Sequence, residues 1–393
     1  MRIALITPLF PLPQEPYRGK PVLETAFALS AHAELHAFCP ISRYPPLKFL
    51  QPKTFEAKLP GPDYNPRGIP TIYRAYSTLP VIGRLWNGWS SRRSVAAEVR
   101  AWNPDVILSY WLYPEAFGAV QLGRQLGKPV VVGSRGSDLL RIKDGWTRAR
   151  VAWTVRHADG VLTVSSELAA IARGLGAAPE RVHMVTNGCD TALFTPSEQA
   201  AARTRLGLPA NARIVLYVGH LLATKGVLDL AEAAARLSAS QPDLLLVYVG
   251  EGPDAGLLRQ RLESLGLTAR TRLAGPAAPA GVAEWLAASD VLSLPSYSEG
   301  CPNVVLEALS CGRPVVASTV GAIPDLIDQD SGILVPPGDP VKLGTALEES
   351  LRRSWDAGQI ASRHRRSWAD VARETLQVCE IALSSSPRSP VAY

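Results

Sequence analysis

Short runs of Val, Ile and Leu alternate along the chain with stretches of helical apolar spacing. The runs predict strands at 3–7, 34–39, 105–109, 129–132, 160–164 and 181–185, then at 214–218, 244–249, 270–273, 290–294, 314–317 and 332–335. Helices are predicted in most of the gaps, for example over 21–32, 115–127, 227–239, 281–288 and 339–352. Strand–helix–strand alternation at this spacing implies parallel, doubly wound sheets. The alternation breaks once, at the turn-rich stretch Thr186 to Ala212, near the middle of the chain. The pattern therefore divides into an α/β domain over 1–195 and another over 196–366. An amphipathic helix follows over 367–385.

Composition agrees with this and narrows it. A chain of 393 residues has room for two cores. With 47% apolar and 19% charged residues it has the make-up of a soluble α/β protein. Five scattered cysteines, with no CxxC spacing, point to a reducing compartment and away from a disulfide framework or a zinc site. The apolar start MRIALITPLF reads as a first strand, too short for a secretory signal. No apolar run reaches the ~20 residues that span a bilayer. A cytoplasmic location is the expectation.

The net charge of +6 is unevenly placed. Residues 41–100 hold ten Lys/Arg against three acids, a net of +7, so the rest of the chain carries −1. The same segment holds eight aromatic residues, among them Tyr44, Trp86 and Trp89. Two readings fit: a solvated irregular loop, or a surface for anionic lipid or a phosphorylated acceptor, peripheral on the inner face of the membrane. No nucleic-acid-binding motif accompanies the charge, so nucleic acid is not an expected partner.

Ligands of open α/β sheets bind beyond the carboxyl ends of the strands. Three loops lie there in the second half. YVGHLLATKGVLDL places Lys225 at a helix entry, where backbone amides already favour an anion. It lacks the GxxxxGK[ST] pattern. VYVGEGPDAG has the glycines of a tight strand-to-helix turn, Gly250 and Gly252. SEGCPNVVLEALSCGRPVVAS holds Glu299 and Glu307. Pro302 fits the first helical position and Gly312 the C-cap. The amides of Asn303, Val304 and Val305 then point out of the helix to cradle a phosphate. Glu299 lies ahead of the helix and Glu307 further back. Two carboxylates flanking a phosphate site suit a ligand with hydroxyls on both sides of its phosphates, as in a nucleotide sugar. On spacing alone, two solvated surface glutamates are the better fit.

Five stretches together carry a family resemblance. SEGCPNVVLEALSCGRPVVAS resembles the E-x7-E signature of glycosyltransferase family 4, retaining enzymes of GT-B fold. VTNGCDTALFTP resembles the family's linker. YVGHLLATKG and VYVGEGPD resemble its two donor-domain glycine loops, and RGSDLL a loop of its first domain. The resemblance runs over nearly the whole chain. It implies two Rossmann-like domains facing a cleft, the first binding acceptor, the second nucleotide sugar, with the last helix crossing back to the first. It also implies roles. Glu299 binds donor-sugar hydroxyls and Glu307 the ribose. Lys225 neutralises the diphosphate with the amides of Asn303, Val304 and Val305. Gly300 and Cys301 lie along the sugar, and Gly19 gives the diphosphate close backbone access. Gly219, His220 and Gly250 line the donor loops.

The chain departs from the family at two positions. His220 stands where an Arg is common, and Arg135 where a His is common. Arg135 in its cleft-facing loop is a candidate for contact with the diphosphate, beside Glu299 and Lys225 as the catalytic set. The implied reaction is hexosyl transfer to a hydroxyl of a glycan, lipid-linked or small-molecule acceptor, in polysaccharide or glycolipid biosynthesis. The acceptor attacks on the face the leaving phosphate occupies and gives that phosphate its proton. Alternatives are a catalytically silent relative that binds nucleotide sugar or a partner, and an epimerase or phosphorylase of the same architecture. No metal and no other cofactor are expected. Asp328-Gln329-Asp330 has the form of a DxD metal motif but reads as a solvated turn before Ser331-Gly332. His32 and His36 lack a third ligand for zinc.

Overall fold

The computed structural model describes residues 1–45, 59–80, 82–142 and 144–385. Lys48, Lys53, Lys58, Phe49 and Phe55 of the basic, aromatic segment lie outside the described residues. The chain divides into two units, one of residues 1–186 with the C-terminal helix and the other Asn187–Ser367.

In the first unit, seven strands form one parallel sheet. They are β1 (Arg2–Ile6), β2 (Glu34–Arg43), β3 (Thr71–Ser77), β4 (Val106–Tyr110), β5 (Val130–Ser134), β6 (Gly160–Thr163) and β7 (Val182–Met184). Their order is β3-β2-β1-β4-β5-β6-β7. The chain winds outward from β1 to β3, then returns beside β1 to start β4. β4 is buried at every position, as expected of a strand covered by helices on both faces.

The second unit holds β8 (Arg213–Val218), β9 (Leu244–Val249), β10 (Thr271–Gly275), β11 (Val291–Leu294), β12 (Val315–Ser318) and β13 (Gly332–Val335). Their order is β10-β9-β8-β11-β12-β13, all parallel. The winding again reverses, now between β8 and β11. Tyr217 and Tyr248 are fully buried on neighbouring strands. The Tyr248 hydroxyl donates to the Val227 carbonyl at 2.9 Å, which pins the following helix Val227–Leu237 to the sheet.

Every predicted strand is present, and β3 is an addition. It lies inside the segment that one reading made an irregular loop. That reading is corrected: 41–100 contains the end of β2, all of β3 and most of the helix Asn87–Trp102. The division between units falls at 186/187, ahead of the expected 195/196, because Asn187 and Cys189 bond into the second unit. The last helix, Trp368–Ser384, buries Val371, Ala372, Thr375, Val378, Cys379 and Ala382, an i, i+4, i+7 stripe. It packs on the helix Lys20–Leu29 of the first unit and on β5. Gly160 of β6 lets it approach, since a Cβ there would stand 2.9 Å from Val378.

Candidate active site

The loops after β8 and β11 emerge side by side, because those strands are neighbours at the reversal of the second sheet. Ligands of open α/β sheets bind at that point. The β8 loop runs from Gly219 to Gly226. It is laced to the β9 loop: Leu221 N donates to Glu251 O, Asp254 N to Leu221 O, and Ala223 N to the Asp254 carboxylate at 2.7 Å. The backbones are so close that a Cβ on Gly250 would meet Gly219 O at 1.9 Å. Glycine at 250 is therefore required by the packing of the two loops. Gly226 has φ 70° and a Cβ there would meet Pro295 O at 2.0 Å, so the β8 loop also presses on the β11 loop.

The helix after β11 spans Asn303–Ser310, with Pro302 as its N-cap at extended dihedrals, one position ahead of the expected placing. Cys311 is the C-cap and Gly312 follows it with φ 71°. The Val305 amide donates to Pro302 O at 3.2 Å. That removes it from the expected three; the Asn303 and Val304 amides make no hydrogen bond among the described residues. Asn187 fixes this turn from the linker. Its amide nitrogen donates to Cys301 O at 3.1 Å and to Asn303 Oδ1 at 2.8 Å. Its own carbonyl accepts from Arg366 Nε at 3.2 Å. Asn187 was not singled out in the sequence as a site residue, although it opens the NGCD of the linker motif.

Lys225 Nζ donates to Glu299 Oε1 at 2.7 Å. The glutamate is 10% exposed and the lysine 31%. A carboxylate so deeply placed needs a charge partner, and Lys225 supplies it. The lysine's other N–H groups have no protein partner among the described residues and suit a phosphate oxygen. Tyr217, buried beneath, has its hydroxyl pushed up by burial and then by the Glu299 charge. It stays a neutral donor, to His220 O at 2.8 Å. That bond holds the His220 backbone while the His220 side chain is exposed. Gly300 O accepts from Ala322 N at 2.8 Å, which ties the turn to the loop after β12. Glu307 is half-buried, close enough for its charge to act on the Cys189 and Cys311 thiols.

Arg135 and Gly19 belong to the first unit. Arg135 Nη2 donates to Thr25 Oγ1 at 2.9 Å, and its guanidinium lies 4.5 Å from the Tyr110 ring centroid. Gly19 precedes the helix Lys20–Leu29 with φ 60°, and a Cβ there would meet Leu9 O at 2.1 Å. Its glycine is thus demanded by the fold of its own loop. Asp138 is buried, accepts from Ser134 Oγ and from Leu112 N, and so joins the β5 loop to the β4 loop. Around these loops lies a cavity of about 450 Å³, lined by Tyr44, Arg84, Asn87, Trp111, Tyr113 and Arg141 among others. Trp111 has φ 80°, an uncommon conformation for a non-glycine residue and one that concentrates at ligand sites.

Asp328 and Asp330 both pair with Arg363, at 2.6 and 2.8 Å. Asp328 also accepts from Ser331 Oγ within its turn. His36 stacks on Trp102 with ring centroids 4.6 Å apart. Among the described residues no group of three or more His, Cys, Asp or Glu is placed to hold a metal ion. No helix among them is long and apolar enough to cross a membrane.

Comparison with known proteins matches this arrangement. Residues 28–193 match the family model described as glycosyltransferase family 4, and residues 212–353 the one described as glycosyl transferases group 1. A D-inositol 3-phosphate glycosyltransferase of Thermobispora bispora is 35% identical over 228 residues, 54% of this chain and 53% of the relative. The chain thus spans about half the length of the first curated relatives it matches. A Bacillus subtilis glycosyltransferase named for teichuronic acid biosynthesis is 29% identical over 90% of this chain and 89% of its own. Among solved structures, Anabaena HepE in complex with UDP has a TM-score of 0.76 at 19% identity, covering 97% of this chain and all of that one. The Thermosynechococcus elongatus sucrose-phosphate synthase has a TM-score of 0.75 at 22% identity, covering 98% of this chain and all of that one. With two parallel sheets, a family match in each half of the chain and solved structures of the same GT-B fold, the chain is similar over both units to the family 4 glycosyltransferases.

Proposed function

We propose that this protein is a retaining hexosyltransferase that takes a sugar from a nucleotide-sugar donor bound by its second unit. The observation that carries the reading is the Lys225–Glu299 pair at the sheet reversal, beside the unbonded Asn303 and Val304 amides. A leaving diphosphate gains negative charge as the glycosidic bond breaks. Lys225 and the two amides offset that charge with groups already in place. Glu299 accepts from donor-sugar hydroxyls, and Glu307 from the ribose. The acceptor hydroxyl attacks on the leaving-group face and its proton passes to the departing phosphate oxygen, which needs no protein nucleophile. No metal takes part, since Lys225 and the amides carry the diphosphate charge.

The acceptor is a glycan or lipid-linked hydroxyl, held by the first unit around Tyr113 and Arg141. The names of the relatives support this class: one is named for D-inositol 3-phosphate, another for teichuronic acid biosynthesis. Anabaena HepE, bound to UDP-glucose, supports a nucleotide sugar as donor. The protein works in the cytoplasm. A thermal-shift screen with UDP, GDP and ADP sugars tests the donor. A ligand at about a hundredfold excess over its Kd adds ~2.7 kcal/mol of stability. NMR of the product's anomeric proton then tests retention. A screen with no stabilising nucleotide sugar would overturn the reading.

A further inference from the structure

A separate cavity of about 480 Å³ lies in the first unit, among the helices Asn87–Trp102, Phe117–Leu126 and Gly145–His157. Three arginines line it: Arg92, Arg124 and Arg150. None has a carboxylate partner among the described residues, whereas nearby Arg84 pairs with Asp144. Their walls are aromatic. The Arg124 guanidinium lies 5.4 Å from the Trp153 ring, and that of Arg150 lies 4.2 Å from Trp146 and 5.4 Å from Phe117. These ring contacts steady Arg124 and Arg150 while leaving their N–H donors for an acceptor. Three half-buried cations without a counter-charge are costly. A phosphate would satisfy them together.

The rim adds a second, independent feature. Ile82 and Leu85 lie in the 3-10 turn Ile82–Leu85, Trp86 is the N-cap of the helix Asn87–Trp102, and Trp89 lies in the first turn of that helix. Here Ile82, Leu85 and Trp89 are each half exposed or more, and Trp86 and Trp146 are exposed as well. Leu85 and Trp89 line the same cavity as the arginines. Apolar side chains with exposed Trp beside arginines match the chemistry of a bilayer interface, where the rings sit at headgroup depth.

We propose that this cavity is an anionic-phospholipid site: Arg92, Arg124 and Arg150 take the headgroup phosphate while the exposed side chains of Ile82, Leu85 and Trp89 enter the interface. The site belongs to the first unit and stands apart from the donor reading of the second.

The test is co-sedimentation of the full chain with phosphatidylglycerol-containing vesicles and with pure phosphatidylcholine vesicles, at low and high salt. The wild type is expected to bind the anionic vesicles only, and to be released by salt. Arg124→Gln with Arg150→Gln should weaken partitioning about thirtyfold, at roughly fivefold per cation. Leu85→Ser with Trp89→Ser should weaken it on the same vesicles with all the arginines intact. Circular dichroism and the thermal shift with nucleotide sugar report folding and donor binding separately in each variant. No binding of the wild type to anionic vesicles would overturn the proposal, as would folded arginine variants that bind as well as wild type. Full displacement from vesicles by millimolar glycerol phosphate, with the Leu85/Trp89 variant binding normally, would reassign the cavity to a soluble phosphate ester and overturn the lipid source.

Discussion

Lys225 and Glu299 stand 74 residues apart in the chain, yet their side chains meet at 2.7 Å. Separate loops carry them, one after β8 and one after β11, and the pairing of those strands brings them together. The pair sets a cation beside a deeply placed carboxylate at the sheet reversal, where the proposed function puts the diphosphate. Lys225→Ala should lower nucleoside-diphosphate affinity about ten- to a hundredfold, for charge-assisted bonds of ~1.5–3 kcal/mol each. Isothermal titration with UDP or GDP measures it. Unchanged affinity would sink the assignment.

Glu299 and Glu307 should separate in their effects. Glu307→Ala is expected to weaken nucleoside diphosphate and nucleotide sugar alike, because both carry the ribose. Glu299→Ala should spare the nucleoside diphosphate and cut turnover. Equal losses of UDP or GDP affinity in the two variants would contradict the division of labour.

Asn187 holds the turn ahead of the Asn303–Ser310 helix through Cys301 O and Asn303 Oδ1. Asn187→Ala should cost about 1–3 kcal/mol in denaturant unfolding, the usual range when part-buried acceptors lose their donor. Asn187→Asp has the same shape but cannot donate, so it should not rescue. Full rescue by aspartate would show that packing, not the amide, sets the turn.

Glu115 is buried, with Tyr76 donating to Oε1 at 3.4 Å and no hydrogen bond to Oε2 among the described residues. Burial pushes its carboxyl up to about 8. The folded protein therefore keeps this proton to about pH 8, while the unfolded chain releases it near its ordinary 4.5. Between those values the folded state binds more protons, so stability falls as pH rises. Wild type should lose stability from pH 5 to 8 relative to Glu115→Gln, by an amount of the order of a few kcal/mol. Parallel profiles for the two proteins would show that Glu115 is not held protonated.

Activity should survive EDTA. Asp328 and Asp330 are engaged by Arg363, which occupies the position a cation would need. Loss of transfer on chelation, restored by Mn²⁺ or Mg²⁺, would return that turn to the list of candidate sites.

Local signals made much of this protein legible. Runs such as IVLYV and LLLVYV show a buried strand because every residue is apolar, and Gly250 marks a turn because only glycine fits there. Lys225 and Glu299 were visible as charged residues ahead of helices, and Glu307 as a carboxylate inside an apolar helix. β3, TIYRAYS, was not, because an edge strand of alternating burial carries few apolar positions and lies in a basic segment. Ile82, Leu85 and Trp89 read as apolar positions in the sequence, and only the folded unit shows that they are exposed among the described residues. The Lys225–Glu299 contact, the Asn187 brace and the three unpaired arginines around one cavity were decided by tertiary structure alone. Propensity, turns and caps act within a few residues of one another. The order of strands in a sheet is set by long-range packing, and that order determines which loops share an edge.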